Sequence, residues 1–308
     1  MKINIIDIGA PDSFLPIVSE RHLKDCPVAG TTLEKALIAR IKDFISKIEC
    51  DSENKIFNIR VDLWPSAELI GKLLLNYENT VVYCNVGDEE VPMAWISSEI
   101  NKLPDTISKI EIDSSSKVLR YSWDLLAVNE ELIDCIKEDV INGTVRERVT
   151  IDGNVVIGEG TVLLPGVFIE GNAIIGKNCK IGPNCYIRGK THIGDNCHVG
   201  QAVEIKNSIL MNNVSVGHLS YVGDSILGEK TNFGAGTTTA NLRHDGKNHH
   251  SKIDGKETDT GRRKLGTIVG DNVHTGINTS IYPGRKIWSN TSTLPGDIVK
   301  KDILKSRF

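Results

Sequence analysis

The sequence predicts a mixed architecture, in which a small α/β domain precedes a left-handed parallel β-helix. From residue 149 onward an aliphatic side chain recurs every six positions, whereas the first 120 residues alternate between apolar runs and amphipathic stripes. A period of six cannot come from an α-helix, whose apolar face recurs every three to four residues. We therefore predict an α/β domain at 1–121, a linker helix at 122–148 and the β-helix at 149–308.

Strands that alternate with helices are predicted in the N-terminal part. Residues 31–49 carry an apolar helical stripe, and Thr31 with Glu34 forms a capping box at its start. A second helix is predicted at 66–77, and a third, connecting helix at 122–140. The predicted strands are Ile3–Ile8, Ile56–Leu63 and Thr80–Val86. This alternation is typical of an α/β layer.

The six-residue period defines the second part of the chain. Three units of six residues close one triangular coil of about 18 residues, and successive coils stack at strand spacing, about 4.8 Å. Each coil buries its inner face only against its neighbours, so several coils are needed for stability. The inward aliphatic positions are Ile151, Ile157, Leu163, Ile169, Ile175, Ile181, Ile187, Ile193, Val199, Ile205 and Met211.

The six-residue period is irregular in one region of the β-helix. The register slips near Gly217, and residues 243–265 show no six-fold pattern before the period returns at Val269. We predict an inserted loop there, which has seven Lys or Arg against four Asp or Glu. A long loop in a compact fold is usually functional or disordered. This insert is either a solvated loop or a binding element for an anionic ligand.

Composition excludes several classes of partner. The formal charge is −4, with no strongly basic stripe, so we expect no nucleic acid. No run approaches the roughly 18 apolar residues of a membrane span, so we expect no membrane partner. The N-terminal residues lack the features of a signal peptide. A cytoplasmic protein is expected.

The cysteines and histidines predict no metal site. Seven cysteines without a CxxC motif are typical of free thiols in a reducing compartment. Cys179, Cys185 and Cys197 are spaced by multiples of six, which favours a small buried slot of the repeat over catalysis. His244 and His249 give a spacing that suits a zinc hydratase on the same scaffold. This alternative is disfavoured because a flexible insert holds three convergent ligands poorly.

Residues 199–241 carry a more specific pattern, VExK, GHxxYxGD, NxGAG and a following Asn. This segment resembles the acetyltransferase domain of the bifunctional N-acetylglucosamine-1-phosphate uridyltransferase/glucosamine-1-phosphate acetyltransferase family. The stretch Gly261–Gly266, GRRKLG, is similar to the archaeal members. The resemblance extends from about residue 149 to about residue 302.

The resemblance implies a reaction and a set of residues. It implies that His218 is the general base on the sugar amine, which attacks the thioester of acetyl-CoA. The residues it implies for the sugar phosphate are Arg188, Lys206, Tyr221, Asn232, Asn241 and Lys247. It implies Ala235 and Ile277 at the cofactor. Such β-helices usually form homotrimers, with the cofactor in the groove between subunits.

Several of these residues have alternative interpretations. Arg188 and Lys206 lie 18 residues apart, on adjacent coils, where two like charges repel unless an anion lies between them. Asn232 and Asn241 are also typical of turns. Leu242 stands where the family commonly has Tyr, and Ile277 where bacterial members have Ser. The cations of the C-terminal segment, Lys300, Lys301, Lys305 and Arg307, are either CoA-phosphate contacts or a solvated tail.

The N-terminal part resembles the reduced N-terminal domain of a family of sugar nucleotidyltransferases. The matching segments are Phe14–Ile17 and Asp25–Gly30, and Trp123–Leu126 is similar to the end of the archaeal uridyltransferase domain. The triphosphate-binding motif LxxGxGxRxxP is absent from this part. We therefore hypothesise that the domain has lost, or never had, uridyltransferase activity.

The leading functional hypothesis is an acetyl-CoA-dependent N-acetyltransferase acting on an amino-sugar phosphate such as glucosamine-1-phosphate. The alternatives are a sugar-1-phosphate nucleotidyltransferase, which the missing glycine-rich motif disfavours, and a non-catalytic β-helix binding protein.

Overall fold

The computed structural model describes residues 1–48, 54–76, 79–86, 89–105 and 107–304. The chain forms two compact units. The first comprises 1–11, 22–26 and 31–120, and the second comprises 12–21, 27–30 and 121–308. Two N-terminal segments therefore belong to the C-terminal unit, which differs from the single boundary predicted at residue 121. No described helix has both the length and the apolarity needed to cross a membrane.

The first unit is built on a mixed five-stranded sheet. Its strands, in spatial order, are Lys2–Ile6, Ile56–Arg60, Glu89–Ser97, Thr80–Val86 and Ser108–Glu111. The two outer pairs are parallel and the two inner pairs are antiparallel. The predicted strand at 56–63 ends at Arg60, and Leu63–Trp64 pairs instead with Lys117–Val118. The strand Glu89–Ser97 was not predicted.

Two helices belong to this unit, and both begin later than predicted. Helix α1 spans Leu33–Ile45, and the hydroxyl of Thr32, not of Thr31, accepts a hydrogen bond from Lys35 N. Helix α2 spans Ala67–Leu75, and Ser66 caps it by accepting from Leu69 N at 3.0 Å. The predicted end of this helix at Tyr77 lies outside the described residues, as does Cys50.

The second unit is the left-handed parallel β-helix, with three faces. Face 1 comprises Val140–Ile141, Val155–Ile157, Ala173–Ile175, Thr191–Ile193, Ile209–Leu210, Ile226–Leu227, Thr267–Val269 and Arg285–Ile287. Face 2 comprises Thr144–Val145, Val162–Leu163, Lys180–Ile181, His198–Val199, Ser215–Val216, Asn232–Phe233 and His274–Thr275. Face 3 comprises Thr150–Asp152, Phe168–Glu170, Tyr186–Arg188, Glu204–Lys206, Tyr221–Gly223, Thr238–Thr239, Ser280–Ile281 and Ile298–Val299.

The β-helix begins earlier than predicted. Its first strand is Val140–Ile141, and the connecting helix, α3, spans only Asp124–Asp134. The core is a stack of buried aliphatic side chains, as the six-residue period predicts. All cysteines among the described residues are free thiols, and Cys179, Cys185 and Cys197 are buried.

Shortened coils explain the slip of register. Ile193 pairs with Leu210, a separation of 17 residues, whereas Ile175 pairs with Ile193 at 18. Leu210 is therefore the inward residue of its coil, and the prediction of Met211 at that position was wrong. A strict period of six cannot anticipate a coil that lacks one residue.

The insert is partly ordered by its own hydrogen bonds. Residues His250–Ile253 and Lys256–Asp259 form an antiparallel hairpin, so the segment predicted as a loop at 243–265 contains regular structure. Leu242 and Lys264 form an isolated bridge at the base of the insert.

The outer surface of face 1 is apolar, which explains why N-terminal segments belong to this unit. Ile174, Ile209 and Ile226 point outward in one column along this face. Residues 12–21 and 27–30 belong to the same compact unit, and a Cβ on Gly30 would lie 3.1 Å from the side chain of Ile174. Covering the apolar column removes it from water, which stabilises the unit.

Candidate functional site

The predicted base and the predicted cofactor residues form one column at the corner between face 2 and face 3. His218, Ala235 and Ile277 occupy equivalent turn positions on three successive coils. The carbonyl of His218 accepts from Gly236 N at 2.9 Å, and that of Ala235 accepts from Asn278 N at 2.8 Å. Stacked coils are about 4.8 Å apart, so Ala235 lies one coil beyond His218 and Ile277 lies one coil further along the same column.

The backbone around His218 is tightly constrained. A Cβ on Gly217 would lie 2.7 Å from Ala235 N, so only glycine fits where this turn meets the next coil. Leu219 has φ of 61°, a left-handed conformation that reverses the chain directly after His218. The imidazole of His218 is consequently exposed at the corner.

Among the residues that the structure describes, no acidic side chain orients this imidazole. Within the described part of the chain, neither a carboxylate nor a carbonyl hydrogen-bonds to the His218 side chain. His198 lies within electrostatic range of it, and burial together with Lys180 and His218 lowers the pKa of His198. His198 lies on face 2 in the column of outward polar residues that continues through Ser215, Asn232 and His274.

The two predicted phosphate-binding cations are in register on face 3. Arg188 pairs with Lys206 on the next coil. Each has its own carboxylate: Arg188 Nε donates to Glu204 Oε1 at 2.7 Å, and Lys206 Nζ donates to Asp224 Oδ2 at 2.6 Å. The inference that an anion is needed to relieve their repulsion was therefore wrong, because Glu204 and Asp224 already compensate both charges.

Asp224 is the centre of a network that the sequence analysis missed. Its side chain is 4% exposed and accepts from Lys206, from Asn241 at 2.5 Å and from Asn207 at 3.0 Å. The Asn241 amide also donates to the Tyr221 hydroxyl at 2.9 Å. Asp224 is the final residue of the GHLSYVGD stretch, which is the signal that would have identified it.

Tyr221 lies in this network as a neutral phenol. Burial and the nearby carboxylates of Asp224 and Glu204 raise its pKa above the ordinary value for tyrosine. Its hydroxyl is therefore protonated at neutral pH and has a proton available to donate.

The structure joins three of the six predicted substrate residues in one network and places Arg188 on the adjacent coil. The other two lie apart from this network. Lys206, Tyr221 and Asn241 belong to the Asp224 network. Asn232 lies in a strand of face 2, on the other side of the corner, so the turn interpretation was wrong for this residue. Lys247 lies exposed in the insert, and its ammonium forms no hydrogen bond or ion pair within the described residues.

A pocket of about 600 Å³ continues the face that holds the two cations. Ala240 and Tyr282 line it and extend the outward column of Arg188 and Lys206, and it is also lined by Leu242, at the base of the insert, and by His244 of the insert. The insert therefore forms part of a concave surface close to the Asp224 network.

No metal centre accompanies these residues in the part of the chain that is described. No group of three or more His, Cys, Asp and Glu side chains is arranged to hold an ion. His249, one of the histidines of the zinc hypothesis, instead lies with Nε2 at 2.9 Å from the carbonyl oxygen of Asn241. Lys305 and Arg307 of the C-terminal segment lie outside the described residues.

Comparison with known proteins identifies clear relatives. A family model described as the GMPPB C-terminal domain matches residues 169–303. A bifunctional sugar-1-phosphate nucleotidylyltransferase/acetyltransferase of Sulfurisphaera tokodaii is 39% identical over 216 residues, which cover 67% of this chain and 54% of that protein. A bifunctional protein GlmU of Methanocaldococcus jannaschii is 46% identical over 186 residues, covering 60% and 45% respectively.

A third relative matches over a greater length. A bifunctional protein GlmU of Methanococcus maripaludis strain C5 is 35% identical over 299 residues, which cover 87% of this chain and 71% of that protein. The chain spans about half the length of the first two relatives, at 54% and 45%.

Proposed function

This chain belongs to the family of bifunctional GlmU proteins, and on that premise we propose that it is an acetyl-CoA-dependent N-acetyltransferase. The proposed acceptor is the amine of an amino-sugar phosphate such as glucosamine-1-phosphate. The observation that carries the proposal is the corner column, in which His218 stacks with Ala235 and Ile277 beside the Asp224 network.

The proposed chemistry needs one proton acceptor. An amine becomes nucleophilic only when it is unprotonated, and imidazole accepts a proton near neutral pH. The amine nitrogen attacks the thioester carbonyl, the bond between the carbonyl carbon and sulfur breaks, and His218 takes the proton from nitrogen and returns it to the departing thiolate. Exposure of the imidazole at the corner supports this role, because both substrates must reach it.

The proposed acceptor site combines charge with directional polar groups. Arg188 bonds Glu204 through Nε, which leaves its terminal nitrogens for the phosphate. We assign Lys206 to the same phosphate and Tyr221 and Asn241 to the sugar, because one network holds these three. Asn232 and Lys247 complete the proposed contacts, from face 2 and from the insert respectively.

The proposed cofactor site requires more than one copy of the chain. Large apolar side chains are exposed along this corner and the adjoining face: Leu219 at 70%, Ile277 at 52% and Ile298 at 51%. Contact with neighbouring subunits would remove these side chains from water. We propose a homotrimer whose intersubunit grooves bind acetyl-CoA next to Ala235 and Ile277, in the cytoplasm.

A separate proposal concerns the activity of the N-terminal region. We propose that the first compact unit, residues 1–11, 22–26 and 31–120, is a reduced nucleotidyltransferase-like domain without uridyltransferase activity, because it contains no glycine-rich triphosphate motif. Pyrophosphate release from UTP and N-acetylglucosamine-1-phosphate, measured with the full chain, should stay at background. Turnover there would favour the nucleotidyltransferase alternative.

The experiment for the main proposal measures release of the CoA thiol from acetyl-CoA with glucosamine-1-phosphate. Wild type should turn over, and His218→Ala should lose about 10²- to 10⁴-fold in kcat, the usual contribution of a general base. His250→Ala is the matched control, since this imidazole is exposed on the hairpin of the insert.

Each other outcome has a definite meaning. Full activity of His218→Ala would keep the reaction and remove the proposed base. Absence of turnover by wild type, together with absence of acetyl-CoA binding, would favour the non-catalytic binding protein.

A further inference from the structure

A second pocket lies at the last coils of face 1, away from the corner that holds His218. Its volume is about 540 Å³. Its lining combines cations, carboxylates and apolar side chains from Asp12, Leu15, the turn of the insert hairpin, the last strand of face 1 and the chain near Leu304. All these residues belong to the second compact unit.

Lys286 is the unusual residue of this pocket. It ends the outward column of face 1 formed by Ile209, Ile226 and Ile268, whose side chains are at most 1% exposed. Lys286 is itself only 3% exposed. The three preceding positions of this column therefore predict an apolar side chain at residue 286. A buried lysine departs from that pattern, and such a departure is typical of a functional position.

The ammonium of Lys286 does not use all of its hydrogen-bond donors within the described residues. Its Nζ donates to the Lys252 carbonyl at 2.6 Å and lies 5.3 Å from the centre of the Trp288 ring. An ammonium carries three donors, so one carbonyl leaves two of them available. No carboxylate among the described residues lies within ion-pair distance of it, and burial lowers the pKa of Lys286.

Neighbouring cations strengthen the positive field. Among the described residues, Arg285 donates only to the backbone carbonyls of Pro283 and His250, and Lys301 has no ion-pair partner. Four cations line the pocket against three carboxylates, and one of the four, Lys252, also lies 4.0 Å from the carboxylate of Glu257. Burying unpaired charge is costly, and a bound anion offsets that cost.

Part of the pocket wall is apolar. Leu15, Ile253, Trp288 and Leu304 line the pocket together with the cations. An inorganic ion would leave this wall in contact with water, whereas a flat organic group would cover it.

We propose that this pocket, the Lys286 pocket, binds a small organic anion with a flat apolar body, either a phosphate ester or a carboxylate. The anionic group lies at Lys286 and Arg285, and the apolar body lies against Trp288 and Leu15. The pocket lies on face 1, whereas the corner column lies between face 2 and face 3, so its ligand does not occupy the proposed acceptor site. The proposal does not depend on the acetyltransferase assignment.

The test is calorimetric titration of the full-length protein with phenyl phosphate, benzoate and phenol. At least one of the two anions should bind saturably at one site per chain, and phenol should bind at least about ten-fold more weakly, because charge-assisted hydrogen bonds are the stronger class. The tighter anion identifies the chemical source of the natural ligand. Absence of saturable binding by both anions, or equal binding of phenol, would overturn the proposal.

Variants locate the site. Lys286→Met keeps an unbranched side chain, one atom shorter, and removes its charge, so the affinity for the anion should fall at least about ten-fold. Lys256→Met, on the exposed strand of the insert hairpin, should bind as wild type does. Unchanged affinity in Lys286→Met would refute the site.

Folding is monitored in the same variants. Lys286→Met should melt at or above the wild-type temperature, because it continues an apolar column. Should it fail to fold, Arg285→Gln decides instead, with an affinity loss of about ten-fold expected and wild-type affinity refuting the site.

Discussion

Lys206 and Asp224 are joined across two neighbouring coils by a hydrogen bond of 2.6 Å, and both side chains are largely buried, at 13% and 4% exposure. This ion pair sets the position of the Lys206 ammonium. The same carboxylate oxygen accepts from Asn241, so one buried acid orients two of the residues assigned to the acceptor. Asp224 is therefore a positioning residue in the proposed site.

Asp224→Asn should impair acceptor binding selectively. The substitution keeps the shape and removes the charge that orients Lys206, so the KM for glucosamine-1-phosphate should rise about ten-fold while the KM for acetyl-CoA changes less than about two-fold. Removing one partner of a buried pair should also lower the melting temperature. Initial rates with each substrate varied in turn, together with thermal melts, check both effects.

Asp152→Asn serves as its control, since this aspartate is exposed on the first coil of the same face. A lower melting temperature with both KM values unchanged would reduce Asp224 to a structural role. A decreased KM for the sugar phosphate would mean that Asp224 competes with the phosphate for Lys206.

Arg188→Gln should lose recognition of the phosphate. Charge-assisted hydrogen bonds contribute about 1.5–3 kcal/mol, so kcat/KM for glucosamine-1-phosphate should fall about ten- to hundred-fold. Turnover of glucosamine, which lacks the phosphate, should hardly change. Arg146→Gln, at an exposed arginine near the start of the β-helix, is the control. Equal losses with both acceptors would show that Arg188 does not contact the phosphate.

His192 should make stability depend on pH. It points outward on face 1 between Ile174 and Ile209, is 3% exposed, and its Nδ1 has no hydrogen-bond partner within the described residues. Burial lowers its pKa from 6.5 to about 4. The unfolded chain then binds the proton more readily, so stability is complete above pH 6.5 and is lost as the pH falls towards 4.

His192→Leu should remove this dependence. Between pH 7 and pH 5 the histidine should lower the unfolding free energy of wild type by about 2 kcal/mol. The variant should show a smaller loss over that interval and higher stability at pH 5, measured by denaturant unfolding. His250→Leu, at an exposed imidazole, should keep the wild-type slope. An unaltered slope in His192→Leu would contradict the assignment.

Local patterns in the chain account for most of the architecture. The period of six predicts the β-helix because each unit is one short strand and one turn, and the same inward position recurs from Ile151 to Ile205. The helical stripe of residues 31–49 likewise predicts α1, although Thr32 rather than Thr31 caps it. These features depend on residues close together in sequence.

The arrangement of the site depends on residues that are distant in sequence. The residue motifs indicated His218, Ala235 and Ile277 one by one, without showing that they form a single column. The column forms because the strands after the insert, residues 243–265, stack in register on the coil before it. The motifs likewise marked Arg188 and Lys206 as neighbours but not their carboxylates, because Glu204 and Asp224 are brought to them by stacking of different coils.

Sequence periodicity thus predicted that a β-helix follows an α/β region, because a period of six fits one short strand and one turn and cannot come from an α-helix. Folding in three dimensions decided where the coils lose a residue, how residues 12–21 join the C-terminal unit and why Lys286 is buried beside a pocket. These outcomes depend on contacts between different coils and on the segments that cover the outer apolar column. The repeat pattern of a single strand contains no information about either.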